Sequence, residues 1–267
     1  SDNISVIGYE AFSGCTGLKN IELPESVTII GENAFSECRN LTSIELSKNV
    51  ELIGIGAFSG CTGLTSMTVD EKNPIFDSRL DCNAIIETKS NKLISGCKKT
   101  KIPDSVTSIE SYAFSKCYSL TDLVIPNSVT SINSYAFNEC TGLTSVEIPN
   151  SINYIERYVF YKCENLKSVV IPDSVTVIGS YAFSECKSLT NIEIPTSVDT
   201  IRNYAFEGCT SLTSIVIPIN VEYMGSYVFN NCTNLTVYCV APGKPDKWKD
   251  DWGGNVNKIV WYYKNSK

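Results

Sequence analysis

The sequence contains no histidine. That absence removes the commonest general base, the usual activating partner of a serine or cysteine nucleophile, and the imidazole ligands of most zinc sites. Also missing are an apolar run long enough to span a bilayer, a Cys-x-x-Cys pair, a glycine-rich phosphate loop and an EF-hand ligand string. Carboxylates are numerous, yet neither spacing nor apolar surroundings single out a pair, so a glycosidase reading has no acid and base to name. Net charge is −7 over 267 residues, with no long run of one sign. This argues against a nucleic-acid or anionic-membrane surface. No catalytic residue, metal or cofactor is assigned. A hydrophobic content of 43% supplies a continuous core and excludes disorder. Ser1 to Gly8 is short and polar, unlike a secretory leader, and it starts in mid-repeat, so further repeats are expected upstream.

What is present is repetition, at a period long enough to define a structural unit. Phenylalanine recurs every 23 residues at Phe12, Phe35 and Phe58, and again from Phe114 through Phe137, Phe160, Phe183 and Phe206 to Phe229. A cysteine follows three residues after each, from Cys15 to Cys232, and a leucine three later, from Leu18 to Leu235. From Val175 the unit places Val175 and Ile178 before Ala182-Phe183, then Cys186, Leu189, Ile192 and Ile194, and closes at Pro195. Ile192 and Ile194 alternate with Glu193, as a half-buried strand does, and proline ends a strand because it has no N–H to donate. One unit cannot bury its own apolar side, but stacked units can. The expected fold is therefore a curved, right-handed leucine-rich-repeat solenoid, α/β but mostly β, with parallel strands and about ten 23-residue coils. Residues 1–240 form the solenoid, an irregular coil with a hairpin insertion lies at about 70–97, and residues 241–267 form a C-terminal cap.

The motif Ala-Phe-x-x-Cys-x-x-Leu-x-x-Ile-x-Ile-Pro-x-Ser-Val-x-x-Ile resembles the BspA-like, or Treponema pallidum-type, leucine-rich repeats of bacterial and protist surface proteins. The resemblance runs from Ile4 to the end of the chain. It implies a secreted or cell-surface protein, non-enzymatic, that engages an extracellular or host protein in adhesion. The repeat residues themselves are scaffold and do not name a ligand. A carbohydrate-binding module using the aromatic C-terminal segment is the alternative.

Candidate residues come from departures from the repeat. Between Leu64 and Cys97, which takes the leucine slot six residues before Pro103, the spacing is 33, one unit plus ten residues. Asn83–Thr88 and Leu93–Ser95 flank a polar turn, so a projecting hairpin is expected. Lys98, Lys99 and Lys101 follow it, the one concentration of positive charge, and with Asn73, Phe76 and Arg79 they are the first candidate binding residues. Six consecutive repeats carry a tyrosine before the Ala or Val, at Tyr112, Tyr135, Tyr158, Tyr181, Tyr204 and Tyr227. With Trp248 and Trp252 these form the alternative binding set, although stacking and capping also account for them. The nine in-register cysteines are expected as buried thiols, because parallel side chains one coil apart do not point at one another. Cys82, Cys97 and Cys239 lie off that register, and a bridge among them stays open.

Overall fold

The computed structural model describes residues 3–264. The protein is a parallel-strand solenoid of about eleven turns with about 23 residues per coil. Among the described residues its only helical element is the three-residue 3-10 turn Arg79–Asp81. Residues 1–2 and 265–267 of the expected division lie outside the described residues.

Each coil has three sides. On the leucine side, Ser145–Glu147, Ser168–Val170 and Asn191–Ile192 stack in parallel register, Ser145 against Ser168 against Asn191. On the valine side, Tyr154–Ile155, Val177–Ile178, Thr200–Ile201 and Tyr223–Met224 do the same. The Pro-x-Ser-Val motif is the corner between them. Val175 N–H closes the turn on Pro172 O at 3.1 Å, and Ser174 Oγ donates to Ile152 O of the preceding coil at 2.6 Å. Proline thus ends one strand while serine ties the corner to its neighbour.

The third side is the phenylalanine turn, which resolves how an irregular segment satisfies its amides. Asn33, Phe35 and Glu37 donate forward to Ile55 O, Ala57 O and Ser59 O at 3.1, 2.8 and 2.7 Å. The alternate amides of Ala34, Ser36 and Cys38 close successive turns on Gly31 O, Asn33 O and Phe35 O. Such a path needs left-handed backbone at two positions per coil, and Asn33 and Glu37 adopt φ 53° and 60°. The tyrosines occupy the first of these positions, with φ 62° at Tyr112 and 57° at Tyr181. A non-glycine residue there costs about 1–2 kcal/mol. Face-to-face stacking of adjacent tyrosines at 4.6–4.7 Å from Tyr112 to Tyr204 offsets it.

The phenylalanines stack inside this turn, for example Phe183 on Phe160 at 5.5 Å and on Phe206 at 5.4 Å. The cysteines lie beneath them, and the thiols of Cys38, Cys61 and the five from Cys140 to Cys232 donate to the phenylalanine carbonyl of the coil before, as Cys186 Sγ does to Phe160 O at 3.2 Å. All twelve cysteines are free, including Cys82, Cys97 and Cys239. Burial pushes Cys163 and Cys232 up to about 12. Cys15 departs from the expectation of a uniformly buried row: it is exposed, in the first of the described phenylalanine turns.

The irregular coil does not project. Ala84–Glu87 and Lys92–Gly96 form the expected antiparallel hairpin, but Ala84, Ile85, Ile86 and Leu93 have no solvent exposure. Ala84 and Ile86 belong to the core of the C-terminal coils, whereas Ile85 belongs to the core of the N-terminal coils. The hairpin is therefore a septum between two cores, apolar on both faces like a central strand. On the valine side, three strands (Phe76–Asp77, Ala84–Glu87 and Lys92–Gly96) precede Ser108–Ile109 in one sheet. On the phenylalanine side the insertion is bypassed: Gly60 N–H donates to Ser115 O at 3.1 Å, the bond that Glu37 makes to Ser59 one coil earlier. Lys116 reaches across side-chain-less Gly60 to Glu37 at 2.6 Å. Gly96 is required beneath Phe114, since a Cβ there would stand 2.2 Å from the ring.

At the C-terminal end the leucine-side register differs from the simple count. Ser214–Ile217 pairs with Thr236–Cys239 so that Val216 opposes Tyr238 and Ile217 opposes Cys239. The last repeat is one residue short, and Cys239 is buried where the regular period had set it outward. Lys258–Val260 then adds a further parallel strand.

Candidate binding face

The outward side of the leucine strands is a repeating surface, and most of it is uniform. Small polar residues such as Ser145 and Ser168 hold one position, and Glu147 and Val170 alternate at another. In the first three coils this face forms a cleft of about 490 Å³ lined by Glu22, Glu45, Asp70 and small polar residues. Uniformity ends at the irregular coil. Residues 78–83 cross the face between Ser66–Val69 and the lysine segment. Ser78 Oγ accepts from Val69 N–H at 3.1 Å at one end. At the other, Cys82 O accepts from Lys101 N–H and Asn83 O from Thr100 Oγ1, at 3.0 and 2.6 Å. The segment thus runs antiparallel to its neighbours, with the 3-10 turn Arg79–Asp81 bulging from it.

Leu80 stands at the tip of that bulge, in left-handed backbone (φ 58°, ψ 28°) and 84% exposed. Lys99 and Lys101 are exposed on the adjacent segment, and Lys98 is partly covered. None of the three forms an ion pair among the described residues. Val124, at the repeat position of Lys101 one coil on, is 82% exposed. Leu80 and Val124 are the two most exposed large apolar side chains described. No strand forms over 98–103 or 121–125, so the regular ladder is interrupted where these residues gather.

Three of the sequence candidates are scaffold instead. Asn73 is buried: its amide donates to Ser47 O and Val50 O, and its Oδ1 accepts from the amides of Ile75 and Phe76. Phe76 packs in the N-terminal core at 5% exposure. Arg79 is held in a fork by Asp77 and also donates to Asn91 Oδ1 at 2.7 Å and Ser105 Oγ at 3.3 Å. Burial raises the Asp77 carboxyl, but hydrogen bonds from Arg79 and Thr88 outweigh it and hold the group below its usual value. Arg79 therefore anchors the bulge that presents Leu80. The sequence reading missed Leu80 and Val124 as site residues; the signals available were an apolar residue in a polar turn and a valine at the repeat position of Lys101, 23 residues on.

The alternative set is not an open aromatic platform. Trp248 and Trp252 are only 2% and 3% exposed. Trp248 Nε1 donates to Val221 O at 3.0 Å, and Trp252 packs edge-on against Phe229 at 6.1 Å. The main chain here accepts from the last phenylalanine turn, with Tyr227 N–H to Asp251 O and Phe229 N–H to Trp252 O. In the tyrosine row each internal ring has both faces covered by its neighbours, leaving edges to solvent. Stacking on a sugar needs a free face, which the internal tyrosines and the two tryptophans do not offer; at the end of the row Tyr227 stacks on Tyr204 alone and is 39% exposed.

A family model for the BspA-type leucine-rich repeat region matches six copies, over residues 1–88, 85–176 and 153–242. The chain belongs to that family. Among solved structures, this BspA-type repeat chain is similar to a leucine-rich cell surface protein from Faecalibacterium prausnitzii, at 27% identity and TM-score 0.63. That alignment covers 98% of this chain and 59% of the other. A leucine-rich repeat protein from Bacteroides ovatus gives 27% identity and TM-score 0.64, covering 97% of this chain and 64% of its own. The pneumococcal vaccine antigen PcpA shares the fold at 20% identity and TM-score 0.67, with 96% and 65% covered. The chain thus spans less than two thirds of the length of these structures. No curated protein matches it. No described helix is long and apolar enough to cross a membrane.

Proposed function

We propose that this BspA-type solenoid is a non-enzymatic binding protein, secreted or displayed on the cell surface, that engages an extracellular or host protein in adhesion through its leucine-side face. In this reading residues 1–240 are the binding solenoid, the irregular coil at 70–97 with Lys98, Lys99 and Lys101 marks the site, and residues 241–267 cap the end. Family membership and the cell-surface description of the F. prausnitzii protein support the location. The observation that carries the site is the cluster of Leu80, Lys99 and Lys101, which no other coil repeats, beside the exposed Val124 on an otherwise uniform face. A specific partner needs a feature that is not repeated. Arg79 and its partners hold Leu80 in place before any partner arrives, which lowers the ordering cost of binding.

The test is surface-plasmon resonance against a panel of extracellular matrix and host surface proteins, with a glycan array beside it. The proposal expects a protein ligand whose association slows on reversing Lys98, Lys99 and Lys101 to glutamate, most at low ionic strength. Glycan ligands alone, or a protein ligand indifferent to the reversal, contradict it.

A further inference from the structure

Resting on the site just proposed, we infer that the patch receives an extended acidic segment of a partner protein, its apolar side chain seated between Leu80 and Val124 and its carboxylates over Lys98, Lys99 and Lys101. Three observations support this occupant.

The first is chemical mixture. The three lysines lack ion-pair partners among the described residues, on a chain of net charge −7. Two almost fully exposed apolar side chains flank them, at 84% and 82%. Charge alone attracts any anion, but Leu80 and Val124 gain only when apolar surface covers them.

The second is geometry. Leu80 sits in left-handed backbone that ordinary residues avoid, at the tip of a bulge fixed at both ends by Ser78 and Cys82. An exposed leucine at the tip of an anchored bulge serves no packing purpose in the free protein, and its apolar surface is left for a partner to cover.

The third is the size of the positive island. Asp122 occupies the position of Lys99 one coil on, and Glu147 that of Lys101 two coils on, while Glu45 and Asp70 line the cleft on the other side. With coils about 4.8 Å apart, the island is roughly one coil wide. A long polyanion such as a sulfated polysaccharide runs from the lysines onto carboxylates in either direction. A short acidic stretch beside an apolar residue does not.

The test uses a random peptide library displayed on phage, selected on the intact protein and counter-selected on the Lys98→Glu, Lys99→Glu, Lys101→Glu variant. The inference expects enriched peptides that combine aspartate or glutamate with a neighbouring leucine, isoleucine or phenylalanine. A fluorescein-labelled enriched peptide then loses roughly tenfold in affinity on Leu80→Ser and on Val124→Ser, as burial of one aliphatic side chain requires. Heparin binds more weakly than that peptide. All five positions are on the surface, and unchanged thermal unfolding confirms intact variants. Neutral or basic enriched sequences, no enrichment, indifference to Leu80→Ser and Val124→Ser, or tighter lysine-dependent binding of heparin each overturn the inference. If the peptides fail while a panel protein still depends on the lysines, the site stands and the occupant is wrong. If the panel protein ignores the lysines as well, the site is wrong.

Discussion

Tyr181 allows backbone strain and stacking to be measured separately. It is held at φ 57° and stacks on Tyr158 at 4.6 Å and Tyr204 at 4.7 Å. Tyr181→Ala removes both stacks, about 0.5–1.5 kcal/mol each, but keeps a side chain in left-handed backbone. Tyr181→Gly removes the same stacks and also relieves about 1–2 kcal/mol of strain. Glycine raises the entropy of the unfolded chain by about 0.5–1 kcal/mol, so the net expectation is glycine more stable than alanine by roughly 0.5–1 kcal/mol. The same pair at Thr200, in a regular strand, should rank the other way. Urea unfolding with matched slopes gives the ordering directly. Alanine equal to or more stable than glycine at Tyr181 would refute the turn geometry and its account of the tyrosine row.

Three further outcomes follow from the packing. In the native state at mildly alkaline pH a thiol reagent should label Cys15 rapidly and leave Cys140, Cys163 and Cys186 protected, since burial raises these thiols; rapid labelling of those three contradicts the buried row. At Glu37 burial raises the carboxyl, but hydrogen bonds from Lys116 and Arg39 outweigh it and leave the group below its free value of 4.5. Its stabilising contribution is therefore present above that value and is lost as pH falls through the lower folded one. Lys116→Met should be less stable than the parent near neutrality, with the gap closing in acid; a pH-independent gap shows that the ion pair is not its cause. Deleting residues 137–182 joins Ala136 to Phe183 in the sequence context of Ala182-Phe183 and should leave a shorter, cooperatively unfolding protein. Loss of cooperativity would show that contacts extend beyond neighbouring coils.

The coil, its period and the thiol row are legible in the sequence because the same side chain meets the same neighbour every 23 residues. The left-handed turn was written there less plainly: Asn33 and Gly56 hold the slot that tyrosine fills later, and both tolerate positive φ. The septum was misjudged because Ala84-Ile85-Ile86 reads as one arm of a surface hairpin. A continuous apolar run fits equally a strand buried on both faces, and only the stacking of two cores decides between them. The last coil shows the limit of counting, since the alternation of Val237 and Cys239 with Thr236 and Tyr238 overrides the period. At the candidate site the lysines were visible as a charge cluster. Leu80 was not, because exposure at the tip of an anchored bulge depends on Arg79 finding Asp77, Asn91 and Ser105 across the fold.

The most direct test of the account is excision of residues 70–102. This joins Val69 to Pro103 and gives Phe58 and Phe114 the regular 23-residue spacing, matching the contact that Gly60 and Ser115 already make. It also removes Leu80 and all three lysines. Binding of the excised chain to a panel ligand of the parent should disappear while cooperative unfolding persists. A folded, excised solenoid that still binds as the parent does would contradict the assignment of function to the irregular coil.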